Sequence, residues 1–406
     1  MSFPCRRFQW MIMNTDSELV ERLRRAVQRE RLLDTAQQLI AVPSRTGEGG
    51  AVADRLAELL RGDGFTVERP VAGHINAPAV VVRFAGGKPG RTLQFDGHLD
   101  TVFLPFAPPA VADGQLTGSG AADMKSGVAA AVEALRVLRE TGALTAGSIL
   151  FTAHDLHEAP WGLGQQLNAL IAEGYVGDAV LLPESMYEHL PLEGRGNATW
   201  KATIRRQGEP VHEVMRPANE PNVLAIGAEL IARLIDLDRD LSKQIDPLAG
   251  RASVFIGQIH GGEIYNQYPQ ECWLEGTRRW LPGTSPAEVE NAFRALVSEL
   301  ADATRTTIEV EWTFIRDAFH LEPNDPLVQA FQRAYTTLGE KPLPLGPKPF
   351  VDDGNSFYGI KKIPAITHGP RAGGQHTLNE WVDIDDLVRV AHLYALTAVL
   401  YCGESP

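Results

Sequence analysis

Short apolar runs that alternate with amphipathic helical patterns are the feature that most constrains how this chain can fold. Strand-like runs lie at 79–84, 92–95, 148–152 and 179–182, and the last two are continuously apolar, as in strands covered on both faces. Between them, apolar residues recur at helix spacing, for example across 124–138. Strands alternating with helices predict an α/β fold with a mainly parallel sheet.

The pattern changes near Gly194, where a block with a different order of strands and helices begins. Its strands are predicted near 197–206, 253–259, 272–280 and 306–314, with helices at 223–235 and from Ser285. A block of about 120 residues can bury a core of its own, so we predict an inserted, smaller α+β domain. The predicted domains are a first catalytic part at 14–193, the insertion at 194–316 and a second catalytic part at 317–406.

Composition argues against several classes of function. The net charge of −13 gives no electrostatic attraction to nucleic acid or to an anionic membrane. No apolar run approaches the roughly 18 residues of a membrane span, and residues 8–13 are too short for the core of a signal peptide. Three scattered cysteines, Cys5, Cys272 and Cys402, do not suggest a disulfide scaffold. We therefore expect a cytoplasmic protein without nucleic-acid or membrane partners, and Met11 or Met13 could be alternative starts.

Polar clusters follow the predicted strands or open the predicted helices. The candidate metal ligands are His98, Asp123, Glu158, Glu184 and His376. Each alone could be an ordinary loop or capping residue. Open α/β sheets, however, bind ligands at the carboxyl ends of their strands, where these residues would meet. The sequence therefore predicts one site built from all five segments.

The candidate ligands are two imidazoles and three carboxylates, without a thiolate. This set suits zinc, with manganese and cobalt as alternatives. One carboxylate can bridge two cations about 3.5–4 Å apart, as in two-metal hydrolases. Asp100, two residues after His98, can orient that imidazole. The prediction is a pair of divalent cations that activate a water.

A resemblance to a known family supports the predicted site for two divalent cations. It is carried by six strings in order: FDGHLDTV, GSGAADMKSG, HEAPWGLG, LLPES, NQYPQECWLEGTRRWLPG and GPRAGGQHTLNEWV. These resemble the dinuclear-zinc amidohydrolase family of acetylornithine deacetylase, succinyl-diaminopimelate desuccinylase, aminoacylase and the glutamate carboxypeptidases. The resemblance extends from about residue 39 to the end. It implies a catalytic domain with an inserted lid domain, through which the chain would form a homodimer.

The resemblance also implies roles for the candidate ligands. Asp123 would bridge the two cations and precede a cis peptide bond. His98 and Glu184 would bind one cation, and Glu158 and His376 would bind the other. Asp100 would be the hydrogen-bonding partner of His98.

The sequence departs from the family pattern at the general base. Family members carry Asp-Glu-Glu, in which the first Glu is the base, whereas here His157 stands before the ligand Glu158. An imidazole can also accept a proton and return it, and nearby cations would favour its neutral form. Three alternatives stay open: His157 is the base, Asp155 occupies that space, or the site is weak towards amides or tuned to another C–N bond.

The inserted domain supplies further candidates through the resemblance. His212 would donate a hydrogen bond to the oxyanion across a dimer. Asn266 and Arg279 would hold a substrate carboxylate, for which a guanidinium is well shaped. Gly374 would let backbone amides approach the ligand.

Three hypotheses about function follow. The first is a metal-dependent hydrolase of N-acyl amino acids or small peptides that bear a carboxylate. The second is a related aminohydrolase or deacylase acting on a non-peptide C–N bond. The third is a weakly catalytic or non-catalytic homologue that keeps the fold and binds a metal or small acid.

Overall fold

The structure, a computed structural model, describes residues 17–403. The predictions for Cys5, for starts at Met11 or Met13 and for the domain start at 14–16 therefore lie outside the described residues. Among residues 17–403, no helix combines the length and the apolar character needed to cross a bilayer.

Ten helices are present in the described residues, together with one 3₁₀ turn at Glu213–Met215. Several begin as the sequence predicts: Ser285 and Glu288 form a capping box, with a proline in the first turn. The helices are α1 17–26, α2 Arg29–Ile40, α3 Gly50–Gly62, α4 Lys125–Thr141, α5 Gln165–Ala172, α6 Val223–Leu241, α7 Pro286–Thr304, α8 Pro326–Thr337, α9 Asp353–Lys361 and α10 Ile384–Gly403.

The strands of the described residues are mostly short, and the long ones belong to the two main sheets. In chain order they are β1 Val67–Glu68, β2 Val80–Ala85, β3 Lys88–His98, β4 Ala110–Ala112, β5 Gln115–Thr117, β6 Ala146–His154, β7 Ala179–Leu182, β8 Leu190–Gly194, β9 Gly196–Arg205, β10 Val211–His212, β11 Ile245–Asp246, β12 Gly250–Arg251, β13 Ser253–Gly261, β14 Gln267–Tyr268, β15 Glu271–Trp280, β16 Thr307–Arg316, β17 Phe319–His320, β18 Leu345–Lys348, β19 Ala365–Thr367, β20 Ala372–Gly373 and β21 Trp381–Asp383.

The chain divides into two compact units. The described part of the first unit is 17–191, 321–345 and 356–403, and the second unit is 192–320 with 346–355. The segment 346–355 thus groups with the second unit and not with the predicted second catalytic part. It does so because Asp353 pairs with Arg316 at 3.2 Å and the Asn355 amide donates to the Asp317 carbonyl at 2.6 Å.

The first unit is built on a six-stranded sheet in the order β1-β2-β6-β3-β7-β19. Strands β6, β3, β7 and β19 run parallel to one another, while β2 pairs antiparallel with β6 and β1 pairs antiparallel with β2 at one edge. The predicted α/β fold with a mainly parallel sheet is confirmed. Helix α4 is buried along most of its length. Because a methyl group on Gly127 would lie 1.7 Å from the Pro183 carbonyl oxygen, only glycine allows α4 to pack so close to the end of β7.

The second unit has a four-stranded antiparallel sheet in the order β13-β15-β9-β16. Helices α6 and α7 pack against it, and their apolar faces cover a core that includes Trp200, Leu230, Leu274 and Phe293. The unit therefore buries a hydrophobic core of its own, as an α+β layer requires.

Candidate metal centre

The parallel strands of the first unit end at one edge of the sheet, and the candidate ligands follow those ends. In the register of β3 with β6, His98 lies opposite His154. Strand β6 leads into the segment that carries His157 and Glu158, and β7 leads into Glu184. The residues after adjacent parallel strands therefore meet at one edge, as open α/β sheets require.

Asp123 lies between two imidazoles. One oxygen, Oδ1, is 3.0 Å from Nε2 of His98, and the other, Oδ2, is 3.3 Å from Nε2 of His376. The same nitrogen of His376 is 3.1 Å from Oε2 of Glu158. His98, His157 and Glu184 also have potential ligand atoms within 4.8 Å of one another. All five candidate ligands are thus brought together within the first unit.

Buried negative charge dominates this cluster. Burial alone would raise the pKa of Asp123, but hydrogen bonds from His376 and His98 lower it well below its usual range. Hydrogen bonds with Asp123 and then Glu158 raise the pKa of His376 to about 10. Carboxylates that stay ionised out of water attract cations strongly. Together with the imidazole nitrogens, they form a donor set that fits divalent metal ions.

Asp100 orients the segments around His98. The ring nitrogen Nδ1 of His98 is 3.1 Å from the backbone oxygen of Asp100 and 3.6 Å from its carboxylate. That carboxylate accepts the backbone N–H groups of His157 and Glu158, each at 3.0 Å. With Nδ1 directed at Asp100, the Nε2 atom of His98 points towards Asp123.

His157 lies flat against His98, with ring centroids 4.0 Å apart and planes only 4° from parallel. A cation lies near the plane of the imidazole that binds it, and two parallel rings stacked at this distance do not share such a plane. In this arrangement His157 is therefore poorly placed to bind the same cation as His98, although it borders the site.

The carboxylate of Asp155 binds backbone N–H groups and does not join the cluster of candidate metal ligands. Its carboxylate accepts the backbone N–H groups of Gly47 at 2.9 Å, Gly49 at 2.8 Å and Leu156 at 2.6 Å, and it lies 3.1 Å from Nε2 of His74. Both oxygens are engaged, and the side chain is only 2% exposed. Asp155 therefore anchors the 47–49 loop.

Glu380 is a site residue to which the sequence analysis gave no role. Its Oε2 atom accepts the backbone N–H groups of Ala122 at 3.1 Å and Asp123 at 3.2 Å. Burial, followed by the charge of Asp123, raises the pKa of Glu380 to about 7. The signal was present, because Glu380 follows His376 by four residues in the same string, but its contacts are with a segment more than 250 residues away.

Replacing Glu380 with alanine should weaken cation binding by about 10- to 100-fold, because the backbone of Asp123 loses its anchor. Glu380→Gln keeps an acceptor oxygen and should retain most of the affinity. Calorimetric titration of the metal-free protein with Zn²⁺ measures this. The exposed Glu173→Ala variant is the control, and equal affinities of the Glu380→Ala variant and the control would contradict the role.

The remaining predicted residues lie in two places. In the second unit, the Asn266 amide is 3.1 Å from Nε2 of His212. Arg279, on β15, has a buried Nη1 atom without a hydrogen-bond partner among the described residues. In the first unit, Gly374 has a φ of +76°, and a methyl group there would lie 2.3 Å from the Asn379 carbonyl oxygen. The turn itself therefore requires a glycine at this position.

Arg195 is a further residue missed by the sequence analysis. Burial, and then the neighbouring charge of Arg195, lower the pKa of the Arg279 guanidinium. Within residues 17–403, neither arginine has a carboxylate at salt-bridge distance. Two neighbouring cations without a counter-ion make this part of the second unit attractive to an anion.

Fold and site together define a metal-dependent hydrolase with a centre for divalent cations. Solved structures share the fold: aminopeptidase PepT from Bacillus cereus has a TM-score of 0.78 at 22% identity and covers 92% of this chain and 99% of its own. A dinuclear metal-binding peptidase from Bacillus subtilis has a TM-score of 0.69 at 15% identity, with coverage of 92% and 98%. These structures establish the architecture.

Residues 95–399 match peptidase family M20/M25/M40, and the chain belongs to this family. A succinyl-diaminopimelate desuccinylase from Methylobacterium radiotolerans is 36% identical over 388 residues, which is 89% of this chain and 94% of that protein. The resemblance inferred from the six strings is confirmed. The protein is a metal-dependent amidohydrolase. The hypotheses of a hydrolase of a non-peptide C–N bond and of a weakly catalytic or non-catalytic homologue are not favoured.

Proposed function

We propose that the protein hydrolyses the amide bond of small N-acyl amino acids or short peptides that carry a free carboxylate, with two zinc ions as its cofactor. The observation that carries the proposal is the position of Asp123, whose two oxygens face two different imidazoles. A carboxylate in this position can bridge two cations. A solved structure with the same fold is described as a dinuclear metal-binding peptidase, which supports a site for two metal ions.

The ligands divide around Asp123. His98 and Glu184 would hold one ion, and Glu158 and His376 would hold the other, with Asp123 shared. Ions bound there would supply Lewis acidity to a substrate carbonyl and make water a nucleophile near neutral pH. The imidazoles and carboxylates without thiolates are consistent with zinc.

His157 is the group that we assign to proton transfer. It borders His98, and its backbone N–H is fixed by Asp100. It would accept a proton from the attacking water at an imidazole nitrogen and deliver it to the leaving amine. Asp155 is a weaker candidate because its two oxygens already accept hydrogen bonds from the 47–49 loop and Leu156.

Residues of the second unit would bind the carboxylate end of the substrate. Arg279 offers a guanidinium group with a buried nitrogen that has no hydrogen-bond partner among residues 17–403, and Arg195 adds positive charge. Asn266 would add a directional hydrogen bond, and His212 would donate to the developing oxyanion. Gly374 remains a candidate for backbone contact with the substrate.

A homodimer through the second unit and a cytoplasmic location belong to the same proposal. Strand β13 lies at the edge of its sheet and exposes Phe255 and Ile259 by 62% and 46%. Cys272 and Cys402 are unpaired and buried, which suits a reducing compartment. Sedimentation equilibrium tests the dimer, and a monomer at micromolar concentration would exclude it.

Turnover of a panel of acylated amino acids tests the proposed reaction. The panel contains N-acetyl, N-succinyl and N-benzoyl forms of the same amino acids. The N-succinyl form is included because the relative that is 36% identical is described as a desuccinylase. We expect chelation to remove activity and Zn²⁺ to restore it, with about two ions bound per chain. Hydrolysis that survives complete metal removal would refute the proposal.

A further inference from the structure

A groove of about 190 Å³ opens in the first unit beside the residues that follow β3. It lies between the 43–48 loop and the 101–106 loop, and it has no role in the reaction described above. The residues that line it include Ser44, Arg45, Glu48, Leu104, Phe106 and Ser119.

The groove has fixed walls. The Ser44 hydroxyl donates to the backbone oxygen of Leu99 at 2.8 Å. The Thr101 backbone N–H donates to the Ser44 carbonyl at 2.8 Å, and the Thr46 N–H donates to the Thr101 carbonyl at 3.1 Å. Asp155 holds the following residues of the same loop. Because the loop is tied to the chain that carries His98, the groove keeps a defined position relative to the metal centre.

An aromatic pair adjoins the groove. The rings of Phe103 and Trp161 stack at 4.4 Å with planes 4° apart, and the guanidinium of Arg45 lies 5.8 Å from the Phe103 ring. Phe103 follows Asp100 by three residues, and Trp161 follows Glu158 by three residues. Three residues span at most about 10 Å, so the Cα atoms of Phe103 and Trp161 lie within about 10 Å of those of Asp100 and Glu158 at the metal centre.

The aromatic rings at and beside the groove are partly exposed. Phe103, Phe106 and Trp161 are 42%, 41% and 43% exposed, and all lie on or next to the loops that form the site. Large apolar side chains grouped at the surface mark places where a ligand binds. Aromatic rings in particular stack on flat groups in offset or edge-on geometries.

Charge and size indicate the kind of ligand. Arg45 and Glu48 both line the groove, and their opposite charges cancel, so the groove offers a second substrate carboxylate no net attraction. A guanidinium near aromatic rings favours a further π face. A cavity of about 150 Å³ holds one benzene molecule, so this groove has room for one six-membered ring.

We propose that this groove is the subsite for the acyl group of the substrate and that it prefers an uncharged aromatic acyl group, such as benzoyl. The assignment to the acyl end rests on the proposed function, in which the second unit binds the carboxylate end. Arg45 and Phe106, which line the groove, and Trp161, in the aromatic pair beside it, then determine specificity. No bond is made or broken at the groove.

The test compares N-benzoyl with N-acetyl forms of one amino acid, using the zinc-loaded full-length protein. The ratio of their kcat/KM values should favour benzoyl in the wild type. It should fall by about tenfold in Phe106→Ala and Trp161→Ala, mainly through KM, because stacking contacts are lost. Arg45→Met should also lower it. Ile360→Ala, at an equally exposed apolar residue on α9, should leave the ratio unchanged.

Binding of benzamide, an uncharged aromatic ring, to the same variants tests the groove by calorimetry without any turnover. Failure of every acylated substrate would refute the proposed function, while loss of benzamide affinity in Phe106→Ala and Trp161→Ala would still support the groove. A benzoyl-to-acetyl ratio and a benzamide affinity that equal the wild-type values in all three variants would overturn the inference. A preference for N-succinyl substrates that depends on Arg45 would also overturn it, because the groove would then bind an anion.

Discussion

Asp123→Ala is expected to abolish turnover and to remove the shared ligand of both cations. The carboxylate places one oxygen 3.0 Å from His98 and the other 3.3 Å from His376, and no single residue could replace both contacts. Metal ions contribute several kcal/mol to stabilising a hydrolytic transition state, so kcat/KM should fall by at least about 10³-fold. Steady-state kinetics and metal analysis by mass spectrometry of the purified variant measure both effects.

The isosteric variant Asp123→Asn separates charge from packing. It keeps the shape of the side chain but loses the negative charge, so it should fold normally and still lose cations and activity. Glu173→Ala, at an exposed carboxylate of the same unit, serves as the control and should bind the normal number of ions. An Asp123→Asn protein with two bound ions and ordinary turnover would refute the role of Asp123 as the bridge.

His157→Ala is expected to lower kcat by about 10²- to 10⁴-fold, the usual contribution of a general base. Cation content should stay near the wild-type value because the stacked ring of His157 is poorly placed to share a cation with His98. This combination distinguishes a proton-transfer residue from a metal ligand, whose removal would lower both quantities. Added imidazole should restore part of the activity by filling the space of the lost ring.

Asp155→Asn is the matched comparison for His157→Ala, since Asp155 was the other candidate for the base. Its carboxylate fixes Gly47 and Gly49, so the variant should lose stability and raise KM more than it lowers kcat. If His157→Ala kept full turnover while Asp155→Asn lost it, the assignments of the two residues would be reversed.

The residue types and their order along the chain were sufficient to predict the fold class and the ligand segments. Strand-like runs at 92–95, 148–152 and 179–182 predicted strands, and each strand is followed by a polar cluster. Parallel strands bring such clusters to one edge, so sequence position alone indicated that His98 and Glu184 would meet. The patterns that predict strands and helices are local, because each can be recognised within a few consecutive residues.

Only the tertiary structure decided how neighbouring groups divide their roles. Asp155 and His157 stand two residues apart, and no pattern distinguishes them; the distinction comes from the backbone N–H groups of the 47–49 loop, more than 100 residues earlier. The contact of Glu380 with Asp123 and the stacking of Phe103 on Trp161 likewise join distant segments. The sequence by itself therefore determined which chemistry this protein carries out. Long-range packing decided that Asp155 and Glu380 fix backbone segments and that His157 lies beside the candidate ligands. These contacts depend on the packing of loops that are far apart in the sequence.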